Sequence, residues 1–308
     1  MQASGNRFSS NPLLTLIFGA VCVSFAPVFV KLIGDVRLGP TAIGFWRTLF
    51  GGVALLTFAI VCGRSVLISR RLLGFSLLAG FIFFLDLFFW HRSIIFSGAG
   101  MATVLANMQV FIIATLGFFL LKERLSVHFF ASALAAVVGL VALVGLFSEE
   151  VIFSSRYISG IGFGLATALV YAHYLITLKW CGQKVGIPDV VVFMGWTSLF
   201  SALFLGVALL IEQERFFPPD AETLGLLVAL GVVVQATAWW AITRSLSRIN
   251  ASRAGLVLLL QPTLAVIWGV VLLSEKLTLL QTIGAAVTLT AMYFGGMRGN
   301  NSDRKDSR

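Results

Sequence analysis

The strongest constraint on this chain is a series of long apolar segments almost free of charge. Val190–Ile211, Thr223–Thr243, Ala254–Ser274 and Leu277–Met297 hold no formally charged residue. Tyr157–Leu178 and Val127–Phe147 carry one histidine each, His173 and His128. A helix crossing a hydrocarbon core of about 30 Å needs roughly 20 such residues, so each segment has the length of a membrane span. Leu13–Val30, bounded by Arg7 and Lys31, and the long uncharged run Ser93–Leu121 add two more. The Ser97-Gly98-Ala99-Gly100 patch reads as the turn entering the latter. Two final runs are interrupted by charge: Pro40–Cys62 contains Arg47, and Leu72–Phe96 contains Asp86, His91 and Arg92. The expectation is an all-α integral membrane protein with ten transmembrane helices.

Composition closes the soluble alternatives. The 308 residues are 58% hydrophobic and only 11% charged, where a soluble domain carries about 25% charge, and the mean hydropathy is +0.98. The net charge of +9 does not point to nucleic acid, because the basic residues lie singly or in pairs between apolar runs and form no stripe. Three cysteines, Cys22, Cys62 and Cys181, fall in or beside apolar runs and imply no disulfide framework. The first span is not read as a cleaved signal, since no polar mature domain follows it. Beyond Arg298 only a polar tail, 298–308, remains.

Ten spans put both termini on one side. With the N-terminus inside, fifteen Lys and Arg from Arg7 to Arg308 fall on inner segments, and only Lys31, Arg37, Arg92, Arg156, Arg215 and Lys276 on outer ones. The positive-inside rule therefore places both ends in the cytoplasm.

A shift of 152 residues aligns Arg92–Leu125 with Arg244–Leu277, with ten of 34 positions identical. Shared leucines are cheap in membrane segments. The Gln109/Gln261 pair and the two Leu-Leu-x-Glu-(Arg/Lys)-Leu turns, with Glu123 and Glu275, carry more weight. Each half (11–147 and 157–297) holds five spans, and an odd number obliges the second copy to insert upside down. Two inverted five-helix repeats are a transporter architecture, because related bundles about a pseudo-two-fold axis can open to either side.

On these residues the chain resembles the drug/metabolite transporter superfamily, specifically its EamA-type members. Ser24-Phe25-Ala26-Pro27, Gly44-Phe45-Trp46-Arg47 and the two Glu-containing turns carry the resemblance, over Leu13 to Gly296. It implies a multi-pass secondary transporter of the bacterial inner (plasma) membrane that moves small organic solutes, such as amino acids, metabolites or drug-like amines, often outward. Members commonly carry proline in the middle of both the fourth and ninth spans. Here Pro262 is present and the matching position is Val110, a departure from strict symmetry.

Charged side chains near helix centres cost about 2.5–3.5 kcal/mol on insertion scales, so Arg47 and Asp86 are expected to face the bundle interior or water. Their depths, roughly 10 and 15 Å below the outer ends of their spans, allow them to pair, and Asn107 lies in the same layer. The expectation is a polar cluster of Arg47, Asp86 and Asn107, with a buried ion pair that only locks two helices as the bland alternative. Trp90, four residues after Asp86, shares its face. Tyr171, Tyr174, Trp196 and the Trp239-Trp240 pair offer aromatic walls suited to aromatic or cationic solutes; the competing reading, strongest for Trp239 and Trp240, is interfacial belting. His173 reads more readily as packing than as a proton carrier. Gln109 and Gln261 lie near the midplane, as binding residues or as interhelical glue. Pro27 and Pro262 remove backbone donors and are hinge candidates. Small residues at Ala131, Ala135, Gly139, Gly160 and Gly164 suit close packing, within the chain or in a homodimer. Glu123 and Glu275 are expected to cap the helices that follow them or to pair with Arg124 and Lys276.

The expected partners are a small organic solute and membrane lipid, with proton coupling through Asp86 left open. No enzyme motif, metal spacing or cofactor signature is present, so a membrane-embedded enzyme is disfavoured. A scaffold or sensor would need no deep charges.

Overall fold

The computed structural model describes residues 11–33, 38–97, 99–123, 126–144, 155–274 and 278–297; Glu275 and the tail 298–308 lie outside them. Helix starts follow local chemistry. Asn11 accepts a hydrogen bond from the Leu13 amide at 3.1 Å and Pro12 opens α1 (Pro12–Ser24), where its fixed φ and missing N–H are harmless. After α2 (Ala26–Ile33), Pro40 opens α3 (Pro40–Val61) in the same way. α4 (Arg70–Ser97), α5 (Ala99–Asn107), α6 (Gln109–Leu121) and α7 (Val127–Val144) complete the first half.

The second half begins with α8 (Ser155–Trp180), extended by a π turn at Cys181–Val185. Asp189 caps α9 (Val190–Glu212), and Asp220 caps α10 (Ala221–Ala229) by accepting from the Thr223 amide at 2.7 Å. A π-helical stretch, Leu230–Ala238, joins α10 to α11 (Trp239–Leu246). α12 (Ala251–Leu258), α13 (Leu260–Leu273) and α14 (Leu279–Met297) follow. Among the described residues there are ten rods and no strand. Eight are long and apolar enough to cross a membrane, and the apolar helices Val127–Ala142 and Leu279–Ala291 are shorter.

The duplication is visible in the packing. α3 lies against α9 and α7 against α14, each pair related by the 152-residue shift, and α6 of the first central rod lies against α12 of the second. The contact of α4 with α8 is answered by that of α1 with the 230–246 segment, as a two-fold operation requires. Termini agree to the residue: α5 and α12 start at Ala99 and Ala251, and α6 and α13 end at Leu121 and Leu273. Each then closes with a left-handed residue, Lys122 (φ 55°) and Ser274 (φ 55°), whose amide bonds the carbonyl of Gly117 or Gly269. This is a helix C-cap repeated at both ends of the molecule.

The central helices break at matching places, with a proline nearby in one half and without one in the other. The second-half helix breaks at Leu259 (ψ −12°), three residues before Pro262, and the first-half helix breaks at Met108 (ψ −14°) without a proline. Side chains collect the released groups there. The Asn107 amide donates to Thr103 O at 2.8 Å, and Gln109 Nε2 donates to Gly255 O at 3.3 Å across the two-fold contact. The departure at Val110 thus leaves the symmetry of the break intact to within one residue. In the first rod the interruption lies at Phe25, two residues before the exposed Pro27, with Trp268 Nε1 donating to Ser24 Oγ at 2.7 Å.

The small-residue positions make their close contacts inside the chain. A Cβ on Gly139 would meet Thr288 Oγ1 at 2.5 Å and Gly284 O at 2.8 Å; one on Gly164 would meet Leu105 at 2.6 Å, and one on Gly160 Ser97 at 2.7 Å. Ala131 is exposed, and the buried face of α7 runs through Ala133, Ala136 and Leu140 instead.

Candidate functional site

A close helix crossing creates the site. A Cβ on Gly51 of α3 would lie 2.4 Å from Gln235 Cγ, and one on Gly231 would lie 2.6 Å from Phe50 Cβ. Two missing side chains therefore let α3 and the π-helical segment touch by backbone. The π turn then carries Gln235 beside Arg47: Arg47 Nε donates to Gln235 Oε1 at 3.1 Å, and Gln235 Nε2 donates to Ser198 Oγ at 3.0 Å. Gln235 is fully buried and Arg47 is 7% exposed. A π-helical insertion re-aims side chains relative to the α-helical register and is often found at functional positions.

Four aromatic rings adjoin this arginine. Phe83 stacks on Tyr174 at 4.9 Å, Trp239 meets Phe83 edge-on at 5.1 Å and Tyr174 at 5.0 Å, and Tyr171 meets Trp239 at 6.1 Å. The Arg47 guanidinium carbon stands 5.9 Å from the Phe83 ring centre. Asp86 follows Phe83 by three residues on α4, on the same face, within electrostatic range of Arg47, Tyr171 and Tyr174. Gln261 Nε2 donates to Tyr171 OH at 3.4 Å.

The hydrogen-bond inventory of this layer is incomplete. Among the described residues, Asp86 Oδ1, Tyr174 OH and Trp239 Nε1 are buried without a partner, and His91 Nδ1 is in the same condition one turn beyond. Arg47 and Asp86 form no ion pair; Arg47 bonds Gln235 instead. Buried polar atoms are nearly always bonded, and each orphan costs about 1–3 kcal/mol. Three orphans around one aromatic cluster form an arrangement that a ligand with both donor and acceptor groups would complete.

The sequence-derived candidates divide. Arg47, Asp86, Tyr171 and Gln261 come together here. Trp90 is half-buried, with its ring 5.3 Å from His91. Asn107 turns back to its own helix, and Gln109 is fully buried between α6 and α12, bonded to Gly255 O with its Oε1 unpartnered. Trp196 donates to Val66 O at 2.9 Å and fixes the α3–α4 connection. His173 is exposed and bonds Leu169 O at 2.7 Å within α8. Neither Trp196 nor His173 reaches the cluster.

Two expectations are corrected. Trp239 is not an interfacial residue: it is 3% exposed in the aromatic layer, because the helix continues three residues past the expected end, to Leu246, and the π turn rotates it inward. Glu123 bonds to the other half rather than to the helix that follows it, and its other expected partner, Arg124, lies outside the described residues. Its carboxylate accepts from the amides of Ala251 (2.6 Å) and Ser252 (3.2 Å) and from Ser252 Oγ (3.0 Å), at the start of α12 in the other half. Lys179 Nζ lies 3.7 Å from Glu123 Oε1 and donates to the carbonyls of Leu246 and Ile249. Gln235, Phe83, Ser198 and this lysine had no sequence signal beyond a polar or aromatic residue in an apolar run.

Relatives share the architecture. A protein named an uncharacterized transporter from Archaeoglobus fulgidus is 27% identical over 278 residues, covering 90% of this chain and 93% of its own. A protein named a probable amino-acid metabolite efflux pump from Salmonella typhimurium is 29% identical over 203 residues, 63% of this chain and 66% of its own. A solved crystal structure superposes with a TM-score of 0.81 at 19% identity, over 94% of this chain and 98% of that one, which establishes a common fold. The EamA-like transporter family matches residues 11–145 and 158–295, nearly the whole of both five-rod halves, and the chain belongs to that family.

Proposed function

We propose that this membrane transporter exports a small organic solute with an amino group, an amino acid or amine-bearing metabolite, by alternating access around the aromatic layer. The observation that carries this reading is the set of orphaned buried atoms Asp86 Oδ1, Tyr174 OH and Trp239 Nε1 beside Arg47. A protonated amine has the charge and donors for Asp86 and finds favourable ring faces on Phe83, Tyr174 and Trp239. A carboxylate or carbonyl on the same solute would accept from Arg47, whose guanidinium can bond such groups in parallel. Gln235 holds the guanidinium through Nε, which leaves its terminal nitrogens for the solute.

Alternating access requires the two halves to separate at one end while closing at the other. The Glu123–Lys179 staple, which ties α6 to α8 and α12, suits the closure of the basic end. Export is supported by the efflux-pump name of the Salmonella relative, and the positive-inside count favours a cytoplasmic basic end. Asp86 as proton carrier is a second reading, favoured by its unbonded Oδ1.

The test is solute movement in vesicles containing only this protein, after a thermal-shift screen against amino acids and amines has chosen the solute. Saturable, solute-specific flux abolished by Asp86→Asn and Arg47→Gln supports the proposal. Full flux in both variants, correctly inserted, overturns it. A pH change inside the vesicle that accompanies flux and disappears in Asp86→Asn would establish proton coupling.

A further inference from the structure

A cavity of about 330 Å3 opens at the basic end of the bundle, away from the aromatic layer. Its walls include Arg64, Asp189, Trp240, Arg244, Ser247 and Arg248, and none of Arg47, Asp86, Tyr171, Tyr174 or Trp239 reaches it. The carboxylate in this set is already committed. Asp189 Oδ1 accepts from the amides of Val191 and Val192 at the start of α9, and Oδ2 takes Arg64 at 3.2 Å. Arg244 and Arg248 have no carboxylate partner among the described residues. Arg244 lies in the last turn of α11 and Arg248 in the turn that follows it, and the Arg244 guanidinium is positioned by the Trp240 ring at 5.5 Å. The cavity therefore holds an excess of positive charge with two guanidinium groups uncommitted.

Its location selects the ligand. The cavity sits where α3 and α11 end and α9 begins, the depth at which helices leave the hydrocarbon, and Trp240 has the amphipathic ring favoured at that level. Beside it the end of α3 is apolar and open: Phe58 is 52% exposed, Ile60 62% and Val61 80%, and in the connection that follows Leu67 is 84% exposed. Arg64 rests over Phe58 at 5.7 Å. A polar, cationic cavity joined through Arg64 to an exposed apolar surface matches a molecule with an anionic head and acyl tails. Arginine pairs bind phosphoryl oxygens in parallel, and basic cavities between spans on the cytoplasmic side hold anionic head groups.

We propose that this cavity is a binding site for the phosphoryl head of an anionic phospholipid, held by Arg244 and Arg248 with Arg64 at its rim. The site is separate from the solute path, so its test does not depend on transport. The full-length protein is placed in nanodiscs of phosphatidylcholine alone, of phosphatidylcholine with phosphatidylglycerol, and of phosphatidylcholine with inorganic phosphate added, and its melting temperature is followed. Phosphatidylglycerol should raise the melting temperature in a saturable manner, and its apparent affinity should fall at least tenfold in the R244Q/R248Q double variant. R215Q, which removes an exposed charge from the opposite end, should respond as the parent does. No rise in the parent, or an equal rise in the double variant, overturns the site. Stabilisation by inorganic phosphate equal to that by phosphatidylglycerol overturns the lipid as its occupant. Should the double variant fail to fold, native mass spectrometry of the parent decides: retention of phosphatidylglycerol no stronger than that of phosphatidylcholine overturns the proposal.

Discussion

Two buried ionic clusters among the described residues, one at the basic end and one in the aromatic layer, are built on opposite principles. At the basic end, Glu123 and Lys179 (7% and 3% exposed) are saturated: two amides and a hydroxyl surround the carboxylate, and two carbonyls receive the ammonium. In the aromatic layer, among the described residues, Arg47 has one bond through Nε, Asp86 has an oxygen with none, and two neighbouring aromatic polar atoms are bare. A buried charge with every valence satisfied fixes geometry. A buried charge left partly bare carries a standing cost, and that cost is the ground on which the solute site is proposed here. The same side-chain chemistry therefore reads as closure in one cluster and as reception in the other.

The largest expected effect tests the first half of this contrast. Removing one partner of a saturated buried pair strands the other, so Glu123→Ala or Lys179→Ala should lower stability by about 3–5 kcal/mol, read as a fall in melting temperature in detergent. A variant that kept its melting temperature and lost only transport would move the staple into the class of the central layer.

Gly51→Ala comes next. Its Cβ would lie 2.4 Å from Gln235 Cγ, and overpacking of this kind costs about 1–3 kcal/mol. Stability and transport should fall together, because the displaced residue is the one that holds Arg47. Unchanged thermal unfolding would show that the α3 crossing is looser than its geometry.

Asp86→Asn sharpens the comparison from the other side. The unbonded oxygen has no bond to lose, so the melting temperature should hold or rise. Transport should drop about tenfold or more, since a hydrogen bond to a charged group contributes about 1.5–3 kcal/mol. Equal losses in both would place Asp86 with the staple.

The smallest effect is expected at His173. It lies on the exposed face of α8, so His173→Leu should change stability by no more than about 0.5 kcal/mol and leave flux intact. A large transport defect there would relocate the solute path.

Much of the architecture was legible from residue order. The ten rods follow from apolar runs interrupted by charge, and a residue's transfer cost does not depend on what it later touches. The repeat was legible through Gln109/Gln261 and Glu123/Glu275, and the Gly117/Gly269 carbonyls show why it persists: each closes the same left-handed cap. The site was half legible. Arg47 and Asp86 announce themselves because charge in an apolar run is expensive wherever it lands. Gln235 did not, and Trp239 stood between an aromatic wall and an interfacial belt, because their placement depends on a π turn that displaces the helical register by a fraction of a turn. Trp196 and His173 looked equivalent to Tyr171 in composition, yet face other surfaces.

The sequence by itself determined that this chain spans a membrane with two antiparallel halves, because both properties are sums over local transfer energies and segment counts. The tertiary structure alone decided which polar groups are satisfied and which are left bare. Glu123 finds its amides 128 residues away in the other half, and Arg47 finds its glutamine 188 residues away. Hydrogen-bond satisfaction is set by ångström-scale approach between distant helices, and nothing in the order of residues specifies that approach until the helices have packed.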